Sequence, residues 1–200
     1  MKNRTSGLVV FICFVFGLGV NLAWAHVTPN VKFYTTKEAV ARLLPKGNLF
    51  LKEVVLTRDQ MKKLDAPGYW RTQKSRHKFY LSRDKNNRLQ GAMIFVTEMS
   101  RHGPVIVAVA FNPDGKVADA VVTDVQMEPL RWVAPLLEGN YMEGFKGKDS
   151  SMGLKLDPKW TKGITKMNRA YALIIAHAVK KAALLFDDTF KNNQIVSSTF

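Results

Sequence analysis

Pro104-Val105-Ile106-Val107-Ala108-Val109-Ala110-Phe111 is the stretch on which the fold turns. Val105, Val107, Val109 and Phe111 share one face of an extended chain, and Ile106, Ala108 and Ala110 share the other. Both faces are apolar, so both must be covered, which predicts a strand at the centre of a sheet rather than at its edge. Similar runs lie on either side at Lys78 to Ser82, Gly91 to Met99 and Lys116 to Val125. The separators are Asp84-Lys85-Asn86-Asn87, Ser100-Arg101-His102-Gly103 and Asn112-Pro113-Asp114-Gly115, all rich in turn formers. Four strands joined by short turns predict an antiparallel sheet of hairpins.

Downstream, Pro129 to Leu137 suits a helix that Glu138-Gly139-Asn140 stops, and Tyr141 to Lys162 is a long connection rich in Gly, Asp, Lys and Trp. A connection of that length in a compact domain is usually functional. It leads to the strongest helical segment, Thr165 to Phe186. There Met167, Tyr171, Ile174, Ile175, Ala178, Ala182 and Leu185 fall at helical spacing, with Lys166, Arg169, Lys180 and Lys181 expected to face mostly away. Upstream, Thr35 or Thr36 caps a short helix stopped by Pro45, Leu49 to Val55 is β-rich, and Thr57 starts a second capped helix ending near Pro67-Gly68. The expected class is α+β: an antiparallel sheet of hairpins packed with a long C-terminal helix. The expected divisions are a signal peptide over 1–25, a small α/β lead over 26–75, the main domain over 76–190 and a tail over 191–200.

The 200 residues are 46% hydrophobic and 23% charged, which excludes a disordered chain and a multi-spanning membrane protein. Lys2 and Arg4, an apolar run from Leu8 to Leu22 and Ala23-Trp24-Ala25 read as a secretory signal with a small-x-small cleavage site, with an uncleaved membrane anchor as the alternative for a run approaching the roughly 20 residues a bilayer needs; the expected location is periplasmic or otherwise exported. The single Cys, Cys13, lies inside that signal, leaving neither a disulfide framework nor a Cys-based metal site in the mature chain. Loss of Lys2 and Arg4 leaves 28 basic against 16 acidic side chains, a net charge of +12. Such a charge suits an acidic redox partner protein or an anionic membrane surface. Nucleic acid is not expected, because the chain is exported and its Lys and Arg are scattered rather than gathered on one helix.

No G-x-S-x-G, GxxxxGK[ST] or GxGxxG signature occurs. The informative stretch is Thr161-Lys162-Gly163-Ile164-Thr165-Lys166-Met167-Asn168-Arg169-Ala170. A Gly before a helix and a hydroxyl in its first turn is where free N–H groups and the macrodipole favour a phosphate. The same pattern is also a plain Thr N-cap after a Gly-containing loop. Lys162, Lys166 and Arg169 can neutralise a phosphate or stand as solvated charges. Trp132, Tyr141, Phe145 and Trp160 can border a flat ring or simply pack. Glu128 can position a ligand or sit as a carboxylate at a helix N-terminus. If cleavage follows Ala25, the amine and imidazole of His26, joined by His77 or His102, make a candidate copper site. His177 falls beside the apolar stripe as a structural residue.

From Gly91 to Phe186 the chain resembles the FMN-binding domain of periplasmic flavin subunits of sodium-pumping and Rnf-type electron-transfer complexes and of related small exported flavoproteins. The resemblance rests on the strand pair Val105 to Val125 around Asp114-Gly115, on Glu128-Pro129-Leu130-Arg131-Trp132, on Phe145-Lys146-Gly147-Lys148 and on the Gly-x-Thr before the closing helix. The lead from Val27 to Leu64 is similar to the N-terminal extension of exported members. The resemblance implies FMN joined through its phosphate to Thr165 by a flavin transferase, with Gly163 permitting close backbone approach and electron transfer as the function. Ring and phosphate contacts would come from Glu128, Trp132, Tyr141, Phe145, Lys162, Ile164, Lys166 and Arg169. The sequence departs from the family's [ST]GA[TS] motif at Lys162 and Ile164, and has Lys159 where an Asp is usual. Covalent flavin, non-covalent flavin and a flavin-free interaction module therefore remain the alternatives, with the copper site as a further one. Catalysis by the chain alone is not expected.

Export has a direct check. The mature protein should begin at His26 or within a few residues of it, and intact-mass analysis of the exported product should show the leader absent.

Overall fold

The computed structural model describes residues 29–68, 71–72 and 74–192. The expected leader over 1–25, with Cys13, and His26 and residues 193–200 of the expected tail lie outside the described residues.

Six strands, β1 (Asn30–Lys32), β2 (Asn48–Val55), β3 (Arg76–Arg83), β4 (Leu89–Ser100), β5 (Gly103–Phe111) and β6 (Val117–Gln126), form one sheet. Its order is β1-β6-β5-β4-β3-β2, and every neighbouring pair is antiparallel. The fold is α+β, and β5 lies inside the sheet as its two apolar faces require. β1 closes the β6 edge and β2 the β3 edge, so residues on both sides of the 75/76 division share one sheet. β1 is only three residues long, too short to leave a periodic signal.

Five α-helices accompany the sheet: α1 (Thr36–Leu43), α2 (Arg58–Asp65), α3 (Met127–Glu138), α4 (Pro158–Thr161) and α5 (Lys166–Phe186). Thr35 with Glu38, and Thr57 with Gln60, form reciprocal capping boxes that fix where α1 and α2 begin. The long connection contains a 3₁₀ turn at Tyr141–Phe145 as well as α4.

The two faces of β5 enter two cores. Val105, Val107, Val109 and Phe111 join Phe79, Ile94 and Val122 beneath α3 and α5. Ala108 and Ala110 join Met93 and Val121 beneath Ala39 and Leu43 of α1. Alanines at 172, 176, 178, 182 and 183 are buried along α5, so this helix meets its neighbours through small side chains. Beyond it, a π-helical turn at Asp187–Asn192 brings Phe190 edge-on to Phe79, with ring centroids 5.1 Å apart. At the β5–β6 turn Gly115 has φ +81°, and a Cβ there would fall 2.9 Å from the Phe186 ring. Only glycine meets both the torsion and the close approach.

Phe186 is fully buried and packs on Phe111 and Phe190 at centroid distances of 5.0 and 4.8 Å. Phe186→Ala should lower unfolding free energy by about 3–5 kcal/mol, read from urea denaturation of the mature chain.

Candidate functional site

Gly163 turns the chain into α5 with φ +79° and open space where a Cβ would stand. Thr165 is then the N-cap, at extended torsions. Its Oγ1 accepts from the Asn168 backbone N–H at 3.2 Å, and its own N–H donates to Asn168 Oδ1 at 3.1 Å. The Thr165 hydroxyl also donates to that same Oδ1. Asn168, which is buried, donates from Nδ2 to the Trp132 carbonyl at 2.7 Å and so ties the start of α5 to α3.

Trp132 is the hub of this corner. Its ring stacks on Tyr171 at 5.5 Å and 19°, lies 5.1 Å from the His102 ring, and carries the Arg131 guanidinium 4.3 Å from its centroid. Ser100 Oγ donates to the Gly103 carbonyl at 2.7 Å, accepts from the His102 N–H at 3.1 Å, and lies 3.1 Å from Tyr171 Oη. The tip of the β4–β5 hairpin, α3 and the first turns of α5 are thereby locked together.

The residues singled out in the sequence divide in two. Lys162, Gly163, Thr165, Lys166 and Arg169 are exposed together at the head of α5, Ile164 is half-buried against the core, and Trp132 joins them through Asn168. Tyr141 and Phe145 do not border that group. Both are buried, stacked edge to face at 5.2 Å, and Tyr141 Oη donates to the Ala172 carbonyl at 2.9 Å. Burial pushes the Tyr141 phenol well above its ordinary range. The Phe145-Lys146-Gly147-Lys148 segment straps the long connection to β6, with Gly147 N–H donating to Val117 O at 2.8 Å and Val117 N–H to Lys148 O at 2.7 Å. Glu128 lies in the first turn of α3, and its side chain, like those of Trp160 and Thr161, is outside the described ones.

These residues suit an FMN phosphate better than its ring. An exposed N-cap Thr beside three exposed cations fits an ester phosphate, since its charge meets N–H groups of the first turn and the macrodipole. The face of Trp132, by contrast, already bears Tyr171 and Arg131. Neither Thr165 nor Trp132 lines the roughly 860 Å³ cleft between β3 and β4 or the roughly 280 Å³ hollow beside Phe33 and Leu137.

A second polar group sits under the middle of α5. Lys181 is buried, contrary to the expectation that it faces away, and its ammonium pairs with Glu98 of β4. Lys180 is also drawn inward: its Nζ donates to the carbonyls of Ser150 and of Met152, the latter at 2.9 Å, and pins the long connection to α5. A signal for Lys181 exists in the sequence, because it lies at helical spacing from Ile174, Ala178 and Leu185. Glu98 likewise follows Ile94 and Val96 on the inward side of β4. Burial raises the Glu98 carboxyl above its ordinary range against the pull of Lys181. The two histidines near Lys181, His77 and His177, are held below their ordinary value, chiefly by burial. His77 and His102 lie on different elements, and His26 is outside the described residues. Among the described residues no group of three His, Cys, Asp or Glu side chains is placed to hold a metal ion.

Comparison of the chain with models of protein families, with curated proteins and with solved structures finds no match. Among the described residues, no helix is long and apolar enough to cross a membrane.

The histidines predict a pH dependence. Their folded-state values lie below 6.5, so the unfolded chain takes up protons first. Their contribution is complete above that value and is lost as pH falls through the lowered folded values. Glu98, with a raised value, runs the other way and gains as pH falls toward 4.5. The melting midpoint should therefore fall between about pH 7.5 and about pH 5.5. His77→Gln combined with His177→Gln should flatten that slope in calorimetric scans.

Proposed function

We propose that this chain is an exported FMN-binding electron-transfer protein, with the flavin held through a phosphoester on Thr165. The observation that carries the reading is the exposed position of Thr165 as N-cap of α5, preceded by Gly163 at positive φ and flanked by Lys162, Lys166 and Arg169. The ester oxygen would keep its lone pairs for the Asn168 N–H, while the Thr165 N–H would remain to satisfy Asn168 Oδ1. The bound flavin supplies one- and two-electron chemistry, and the chain supplies anchorage and positive potential that favours reduced, anionic flavin. An acidic redox protein would be its partner, a flavin transferase would load it, and an anionic membrane face would suit its charge. The sequence resemblance supports the same assignment.

The occupied face of Trp132 favours a second reading, in which the scaffold carries no flavin and serves as a periplasmic docking module. One experiment separates them. Protein from the native host, run on denaturing gels, should show in-gel flavin fluorescence for wild type and Thr161→Ala and none for Thr165→Ala. The Thr165→Ala variant should remain folded, since loss of an N-cap costs about 0.5–2 kcal/mol. A dark wild-type band removes the covalent reading. Fluorescence that survives in Thr165→Ala moves the attachment elsewhere.

A further inference from the structure

We propose that the fork between β3 and β4 is a binding site for a small organic anion with a flat, apolar body. The two strands pair only from Arg83–Leu89 to Phe79–Ile94. Beyond that point β3 follows β2, with Lys78 opposite Glu53 and Arg76 opposite Val55. β4 instead follows β5, with Phe95 opposite Ala108 and Thr97 opposite Ile106. The parting strands leave a cleft of about 860 Å³. That size falls within the roughly 300–1,000 Å³ of small-molecule sites. Among the described residues the β3–β4 register stops at Phe79–Ile94, so the cleft opens between strands that no longer pair with each other.

The lining chooses the ligand's chemistry. Six cationic side chains border the cleft against two carboxylates, Glu98 and Asp124, and both carboxylates are already paired, with Lys181 and with Lys32. Arg76 has no carboxylate partner among the described residues, and Lys78, two positions on along the same face of β3, pairs with the exposed Glu53 at 3.1 Å, a solvent-screened contact that an entering anion can replace. A cleft with surplus positive charge and a buried, already balanced ion pair at its floor selects an anion. At the apex, Tyr80 and Phe95 meet edge to face at 5.8 Å, and Ile106 and Pro104 continue the apolar wall. The acidic group would therefore sit by Arg76 and Lys78, with the flat body against Tyr80 and Phe95. None of these residues belongs to the Thr165 corner, so the site stands whether or not flavin is attached there.

The test is a fluorescence titration of the mature protein with anilinonaphthalene sulfonate and with phenylnaphthylamine, its analogue lacking the sulfonate. The sulfonate should bind saturably at one site. Arg76→Ala and Lys78→Ala should each weaken it roughly tenfold, as loss of a hydrogen bond to a charged group implies. The uncharged analogue should bind more weakly and be indifferent to both changes. Thr97→Trp, which fills the cleft, should abolish binding of both probes, whereas Lys85→Ala in the distant β3–β4 turn should change nothing. Melting curves of each variant distinguish a blocked site from a lost fold. Sulfonate binding that does not saturate, or that ignores Arg76, Lys78 and Thr97, overturns the proposal.

Discussion

The packing of α5 across β4, β5 and β6 is the interaction on which the rest of the molecule depends. The buried alanines along α5 let its backbone approach a sheet surface built of Val105, Val107, Val109 and Phe111. Close approach between small and β-branched side chains maximises dispersion contacts and the apolar area removed from water. Aromatic rings pack at both ends of α5: Trp132 and Tyr171 where it begins, and Phe186 and Phe190 with Phe111 where it finishes.

One charged pair interrupts that interface. Lys181 and Glu98 are both nearly enclosed, and burial of two charges is repaid only when each finds its partner. The pair fixes the axial position of α5 on β4, because sliding the helix by a turn would leave both ions alone in an apolar layer. Lys180, one residue away, binds the carbonyls of Ser150 and Met152 and so carries the same positional information outward into the long connection. That connection is held to the rest of the fold by Lys180, by the strap of Gly147 and Lys148 on Val117, and by Tyr141 Oη on the Ala172 carbonyl. Its length reflects a route around the end of the core rather than a loose lid.

The candidate sites occupy the margins left by this arrangement. The head of α5 emerges from the Trp132 corner with its cap residue exposed, so Thr165 is held in place yet reachable. The fork between β3 and β4 arises because β3 remains bonded to β2 through Val55 while β4 remains bonded to β5 through Ser100. Twisted sheets accommodate such a divergence at an end where no turn joins the two strands. β3 and β4 are joined at the opposite end, by the Asp84 turn, in which the carboxylate accepts from the N–H groups of Asn86 and Arg88.

By itself the sequence determined everything carried by short-range chemistry and periodicity. The four central strands, their turns at Asp84, Ser100 and Asn112, the capped starts at Thr35, Thr57 and Thr165, and the α+β class were legible because each depends on a few neighbouring residues. The apolar alternation of β5 even specified a strand covered on both faces. What only the tertiary structure decided is which residues from distant segments meet. β1 and β2 belong to the same sheet because edge pairing is a backbone interaction that leaves no side-chain periodicity. Lys181 faces inward because Glu98, 83 positions earlier, is there to neutralise it. Tyr141 and Phe145 fill the core instead of bordering Thr165, since aromatic rings carry no mark in sequence that separates packing from binding. The Trp132 corner and the β3–β4 fork are products of strand divergence and helix placement, which are settled by the whole core and by no single segment.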